Sequence, residues 1–222
     1  MRRKIYASLA AATMALVLGA TVVSAPSALA APRCEGKPAT KVGSPGNDTI
    51  RGTGGNDVIV AGSGDDTVKG LGGNDLICSG KGDDKIIGGK GNDRMLGGKG
   101  MDTIKGGSGL GVFLGGGSND TLIGGPIRDV FVAGPGNDTV NGNLGDDTAR
   151  GNSGDDQING GDGDDTLRGG VGADTIQGDA GNDIVDGRPG DDSLFGDLGT
   201  DSADGDGGTD TCVAETELNC EH

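Results

Sequence analysis

Aspartate recurs at every ninth residue across most of the chain. It stands at Asp48, Asp57, Asp66, Asp75, Asp84, Asp93 and Asp102, then at Asp120, Asp129, Asp138, Asp147, Asp156, Asp165, Asp174, Asp183, Asp192, Asp201 and Asp210. The spacing fails once in nineteen positions, at Gly111. Carboxylates held in one register supply hard, anionic oxygen. That donor suits divalent cations of the calcium and magnesium kind, whereas zinc favours His or Cys. The sole histidine is His222. No histidine accompanies a nucleophile, so the residues contain no catalytic constellation.

The segment that must position these aspartates runs from Gly43 to Val213 as nineteen nine-residue units without insertion. Gly88-Gly89-Lys90-Gly91-Asn92-Asp93-Arg94-Met95-Leu96 is a typical copy. Six positions of each unit are turn material, rich in the glycine that tolerates positive φ. The last three form a short strand with an apolar centre, whose neighbours point the other way. A fixed period of this kind signals a solenoid, in which each unit packs on its neighbours. Composition alone suggests disorder: the chain has no Trp, three Phe, 50 Gly and a net charge of −16. Strict register overrides that expectation.

With two units per coil, Asp48, Asp66 and Asp84 stack along one edge, and Asp57, Asp75 and Asp93 along the other. Layers about 4.8 Å apart bring bare carboxylates into repulsion of about 0.9 kcal/mol per pair even at the dielectric of water. Two such columns call for cations between layers. Calcium takes 6 to 8 oxygens in adaptable geometry and can use the carbonyls of glycine-rich turns, while magnesium is more exacting. An isolated Asp in a glycine turn is usually an Asx-turn residue; eighteen in one register are not explained that way. Gly205-Asp206-Gly207 resembles part of an EF-hand loop, but lacks the flanking helices and the Glu at the twelfth position.

The pattern Gly-Gly-x-Gly-x-Asp-x-apolar-x resembles the nonapeptide of the repeats-in-toxin (RTX) calcium-binding family. The resemblance covers about three quarters of the chain. It implies an all-β fold: a right-handed parallel β-roll with two repeats per coil, and calcium between turns held by Asp carboxylates and turn carbonyls. Seventeen interlayer gaps follow from the count of positions. Gly111, Ser118 (in place of a turn glycine near Asp120) and Ile127 (likewise near Asp129) should damage five of them, leaving about twelve sound sites. Phe113 and Phe131 fall at the inward apolar position beside this lesion. They are read as replacing lost calcium cohesion by apolar burial, worth about 1.5 to 3 kcal/mol each; drift in a tolerant repeat is the alternative.

Residues 1–30 read as a cleaved signal peptide. Arg2, Arg3 and Lys4 precede an apolar run from Ala7 to Val23 and a small-x-small site at Ala28-Leu29-Ala30. The alternative is a membrane anchor; after cleavage no spanning segment is expected. Without those three cations the net charge is −19, which argues against nucleic acid as a partner. Residues 31–42 are expected to be an N-terminal cap, 43–213 the roll, and 214–222 a C-terminal cap.

The sheet following Asp57 points Val58, Val60, Leu76, Cys78, Leu96, Val112, Leu114, Val130 and Val132 outward. A patch of that size calls for a cover. Folding the N-terminal cap across it would join Cys34 to Cys78 and leave Cys212 for Cys220; what remains could hold a protein partner or a dimer contact. The other sheet carries Thr49, Thr67, Thr103, Thr121, Thr139, Thr175 and Thr211 outward. Threonine favours strands, and Lys85 and Gln157 interrupt the column, so a sugar- or ice-binding ladder is the weaker reading. Lys81, Lys90 and Lys99 are expected to offset nearby carboxylates.

The function read from these residues is a non-catalytic, secreted, extracellular calcium-binding protein that folds as it binds several calcium ions. Two other classes fit the same residues: a surface or matrix adhesion module, and an accessory domain of a separate secreted enzyme. The N-terminal leader and Cys-containing tail depart from the one-step export common among toxins of the family, which tells against a toxin role.

Overall fold

The computed structural model describes residues 32–220. The expected leader, residues 1–30, lies outside the described residues. Strands and turns make up the whole of the described chain, so no helix there is long and apolar enough to cross a membrane.

Each nonapeptide turns a corner and lays down one strand, and alternate units go to opposite sheets. The ten-stranded sheet takes Thr49–Arg51, Thr67–Gly72, Lys85–Lys90 and every second unit onward to Thr211–Val213. The eleven-stranded sheet runs from Lys41–Val42 through Val58–Ser63 and Leu76–Lys81 to Thr216–Leu218. Every neighbour in both sheets is parallel. Inside the array the register is eighteen residues, as in Thr103↔Thr121 and Phe113↔Phe131. The fold is a parallel β-roll of about ten turns.

The core is two single columns of side chains. Val68, Ile86, Ile104, Leu122, Ile158, Ile176 and Leu194 come from one sheet; Ile59, Ile77, Met95, Phe113, Phe131, Leu167 and Val185 come from the other, and all are buried. Neither sheet has another layer to pack on, so one apolar residue per unit is enough. That is why a chain so poor in aromatic residues can close a core.

Both ends are fastened. The N-terminal hairpin pairs Arg33–Cys34 with Lys37–Pro38 through a turn at Glu35 and Gly36. Cys34 is joined to Cys78, Glu35 pairs with Arg94 at 2.6 Å, and Leu76 beneath is 5% exposed. The hairpin thus covers the first part of the apolar outer face. Leu96, Val112, Leu114, Val130 and Val132 remain half-buried. Cys212–Cys220 closes the tail. The Cys34–Cys78 link ties residues 44 apart. A loop of that length loses about 4 kcal/mol of unfolded-chain freedom in the chain-entropy estimate. The double variant Cys34→Ser/Cys78→Ser is expected to melt lower in calcium. A melting temperature equal to that of the parent would show that the cap contributes nothing.

Candidate metal centre

The two edges of the roll are where the aspartates fall. Asp57 through Asp210 in the array are buried, with exposures of 0 to 5%, although they belong to turns. Their burial is a consequence of stacking: each turn lies on the one before it and beneath the one after.

Each carboxylate uses its two oxygens differently. Oδ1 accepts the backbone N–H of the aspartate one layer earlier, as in Asp48 N to Asp66, Asp66 N to Asp84, Asp120 N to Asp138 and Asp192 N to Asp210, at 2.7 to 2.9 Å. Oδ2 points inward toward the first glycine of its own unit. A Cβ added at Gly97 would meet Asp102 Oδ2 at 2.3 Å and the Gly115 carbonyl oxygen at 2.5 Å. Gly115 and Gly142 show the same pair of neighbours, Asp Oδ2 and a carbonyl one layer on. At these glycines carboxylate and carbonyl converge on the space a side chain would fill, although Ala61, Ser79 and Ala133 hold the same position in their own units, fully buried. In fourteen aspartates this Oδ2 is buried with no hydrogen-bond partner among the described residues. A buried acceptor left so costs about 1 to 3 kcal/mol, and more when charged.

Burial dominates the protonation of these groups. It pushes Asp102, Asp120, Asp147, Asp156 and Asp165 up to about 7, aided by neighbouring carboxylates and opposed by the backbone N–H bond. Asp93, Asp174, Asp183 and Asp192 rise to about 6 for the same first cause. The beginning of the column behaves otherwise. Asp48 is held below the usual carboxylate range by the Ser44 N–H and hydroxyl, both on Oδ2. Asp57 Oδ2 accepts from Thr53 in the same manner.

The lesion expected around Gly111 is partly there. Asp93 N–H finds no carboxylate in the next layer, since that layer holds Gly111. The space is filled instead. A Cβ at Gly106 would meet the Phe113 ring at 2.7 Å, at the place where Gly97 meets a carboxylate. Phe113 therefore sits in the slot of the missing Asp and stacks on Phe131 with centroids 4.6 Å apart. Asp129 also departs from the pattern, its Oδ2 accepting from Gly125 N–H at 2.7 Å. Ser118 does less harm than its type suggests. It adopts the left-handed φ of 88° that the turn requires, and Asp120 keeps the ordinary pattern: Oδ1 accepts the Asp102 N–H, its own N–H donates to Asp138 Oδ1, and Oδ2 has no partner among the described residues. Lys81, Lys90 and Lys99 form no ion pair among the described residues, so any offset they give is long-range. A flexible lysine on an open turn keeps its hydration rather than closing on a buried carboxylate.

Two features lay outside the sequence reading. The residue before each Asp is itself Asn or Asp in thirteen of nineteen units. Its side chain accepts the N–H of the same position one layer later, as Asn47 does from Asp65, Asn74 from Asn92, and Asp164 from Asn182. This ladder runs opposite to the Asp ladder. At the ends, side chains from outside the repeat complete the column. The Thr40 hydroxyl donates to Asp57 Oδ1, and Glu215 accepts the Asp201 N–H at 2.8 Å. The doublet before the Asp was visible as a pattern; Thr40 stands one place past the aspartate position of its own turn and Glu215 lies off the nine-residue spacing, so neither reads as a partner of the column.

No three His, Cys, Asp or Glu side chains converge among the described residues. A cation here must therefore draw on carbonyls as well as carboxylates. The buried Oδ2 atoms beside glycine carbonyls provide that mixed, all-oxygen donor set, which fits calcium. The family model for the RTX calcium-binding nonapeptide repeat matches residues 42–77, 79–113, 114–149, 141–176, 150–185 and 177–212. The chain belongs to the family of RTX calcium-binding repeat proteins. Its roll is a structural calcium-binding domain. No curated protein matches the chain.

Proposed function

We propose that this is an exported protein whose roll folds as calcium binds between its turns, and that it acts without catalysis. The observation that carries this reading is the set of fourteen partnerless buried carboxylate oxygens, nine of them beside a backbone carbonyl of the next layer. When bound, calcium supplies the positive charge and the oxygen coordination that those groups need. Asp66, Asp75, Asp84, Asp102, Asp120, Asp138, Asp147, Asp156, Asp165, Asp174, Asp183, Asp192, Asp201 and Asp210 present it an unpaired oxygen; Asp93 completes the series beside the gap at Gly111. Asp48, Asp57 and Asp129 use that oxygen internally, so their share rests on opening those bonds. Binding free energy of this kind becomes folding free energy. In the cytosol, where calcium is scarce, repulsion along the columns keeps the chain open for export. The basic and apolar leader ending at Ala28-Leu29-Ala30 supports that route. Outside, sites of the 10⁻⁴ to 10⁻³ M class suffice.

Circular dichroism tests the reading. In excess chelator at pH 7.5 the β signal should be lost, and calcium should restore it cooperatively. A full β signal in chelator at that pH overturns the proposal. Acid is expected to replace calcium in part. The folded-state values of about 6 to 7 lie above the ordinary 3.8, so protonation favours the metal-free roll. That contribution is complete below about 3.8 and is lost as pH rises through 6 to 7. The metal-free chain should therefore gain structure between pH 7.5 and pH 4, while calcium affinity falls over the same range.

A further inference from the structure

The outer face of the eleven-stranded sheet changes character past the apolar patch. In the column Val132, Arg150, Arg168, Asp186 and Asp204, each residue is in register with the next. Arg150 and Arg168 stand side by side on neighbouring strands, about 4.8 Å apart along the roll. Asp186, which is only 16% exposed, takes the Arg168 Nε at 3.4 Å and an Arg188 guanidinium nitrogen at 2.8 Å on the same Oδ2. Arg150 has no ion pair among the described residues. Together with Asn152 and Gly170 the three arginines line an open groove of about 330 Å³.

The backbone at Arg188 adds a separate observation. Its φ is 75°, at the second position of the repeat, where glycine is the usual residue. Most non-glycine residues with positive φ among the described residues are Asn or Asp, whose short polar side chains tolerate it. Arg188 is the one basic residue among them in the described chain. Its side chain is turned back onto Asp186, with its guanidinium beside that of Arg168. A left-handed arginine is a strained choice where glycine serves other units, and it sets two guanidiniums on one carboxylate oxygen.

We propose that Arg150, Arg168 and Arg188 form a binding site for a tetrahedral oxyanion, the group common to phosphate and sulfate. Asp186 positions two of the guanidiniums and leaves their remaining N–H groups outward, and Asn152 adds an amide donor at the rim. Planar guanidinium forks match the oxygen pairs of such anions, whereas a lone lysine would offer only a point charge. Three guanidiniums against one carboxylate leave the groove locally cationic. Loading the buried columns with calcium removes the opposing field of the roll. In this respect the site rests on the calcium reading above.

The test is titration of the calcium-loaded full chain with inorganic sulfate and with methyl phosphate, followed by the arginine Nε–H resonances. Circular dichroism on the same samples reports whether the roll is folded, so failure to fold is separated from failure to bind. Saturable shifts at Arg150, Arg168 and Arg188 are expected. Arg188→Gly restores the usual residue of that turn and should keep or raise the melting temperature. It should also weaken binding about tenfold, the equivalent of one charge-assisted hydrogen bond. Arg150→Ala should do the same to binding. Equal affinity in Arg188→Gly, equal shifts with chloride, or binding to phosphatidylglycerol vesicles without response to the small anions would each overturn the site.

Discussion

Asp156→Asn will act with opposite sign in the two states of the protein. Without calcium the variant should be the more stable, and with calcium the less. Asp156 Oδ1 accepts the Asp138 N–H at 2.8 Å, a bond that an asparagine oxygen keeps. Its Oδ2 is buried without a partner, close to the Gly169 carbonyl. An amide nitrogen in that place donates where a carboxylate oxygen repels. At pH 5 the aspartate is charged in the unfolded chain and, pushed up to about 7 by burial, must take up a proton to enter the metal-free roll; asparagine is spared that cost, worth about 1 to 3 kcal/mol. In calcium the same change removes an anionic ligand, and the midpoint of calcium-induced folding should rise at least about tenfold, or about 1.4 kcal/mol. Urea unfolding in chelator at pH 5 and in saturating calcium at pH 7.5 reads both terms. Destabilisation in both conditions would mean that the aspartate serves the backbone alone.

Gly111→Asp is expected to fail as a repair when made alone. A Cβ at Gly111 would stand 2.4 Å from the Phe113 ring and 3.0 Å from Asp129 Oδ1. Forcing a carboxylate into a filled core costs about 1 to 3 kcal/mol. Phe113→Val alone leaves a void and costs about 2 to 4 kcal/mol. The double variant empties the slot and fills it with the residue that every other layer carries. Its loss should be smaller than the sum of the single losses by at least about 1 kcal/mol, a coupling typical of residues in contact. Calcium stoichiometry should rise above that of the parent. Additive losses with unchanged stoichiometry would show that Phe113 does not stand in for the carboxylate.

The sequence made the register legible because one period governed every unit. From it came the division into two sheets, the two inward columns from Ile59 to Val185 and from Val68 to Leu194, and the stacking of aspartates on two edges. The folding of the N-terminal hairpin over Leu76 and Cys78 was legible for another reason: a run of outward valines and leucines needs a cover. What escaped was backbone satisfaction. The aspartates were weighed as charges that repel, whereas half of each carboxylate is engaged with a turn N–H. Turns that are buried by stacking must find partners for their N–H groups. Counting those groups would have pointed to the Asn or Asp at positions such as Asn47, Asp65 and Asn74, which meet the second donor of each turn. Ser118 takes the left-handed φ of a turn glycine, a conformation that residue type alone does not reveal. Glu215 could not have been found by spacing, since it reaches the column from a tail of different period.

The two ladders on each edge run in opposite directions, and this gives the growing roll a polarity. When a layer is in place and its successor is not, its Asp N–H is a free donor and its preceding Asn or Asp side chain is a free acceptor. The next nonapeptide brings the complementary pair, in the one register that matches both. Each layer is thus a mould for the layer after it, and accretion can proceed from the hairpin end as chain becomes available. The same complementarity makes any unfinished end adhesive toward another unfinished end, much as an open crystal face takes up its own kind. Glu215 meets the last Asp201 N–H from within the same chain. With Cys212–Cys220 holding the tail in place, the column of Asp201 ends on a partner that belongs to no further layer, which keeps that edge from serving as a mould for another roll.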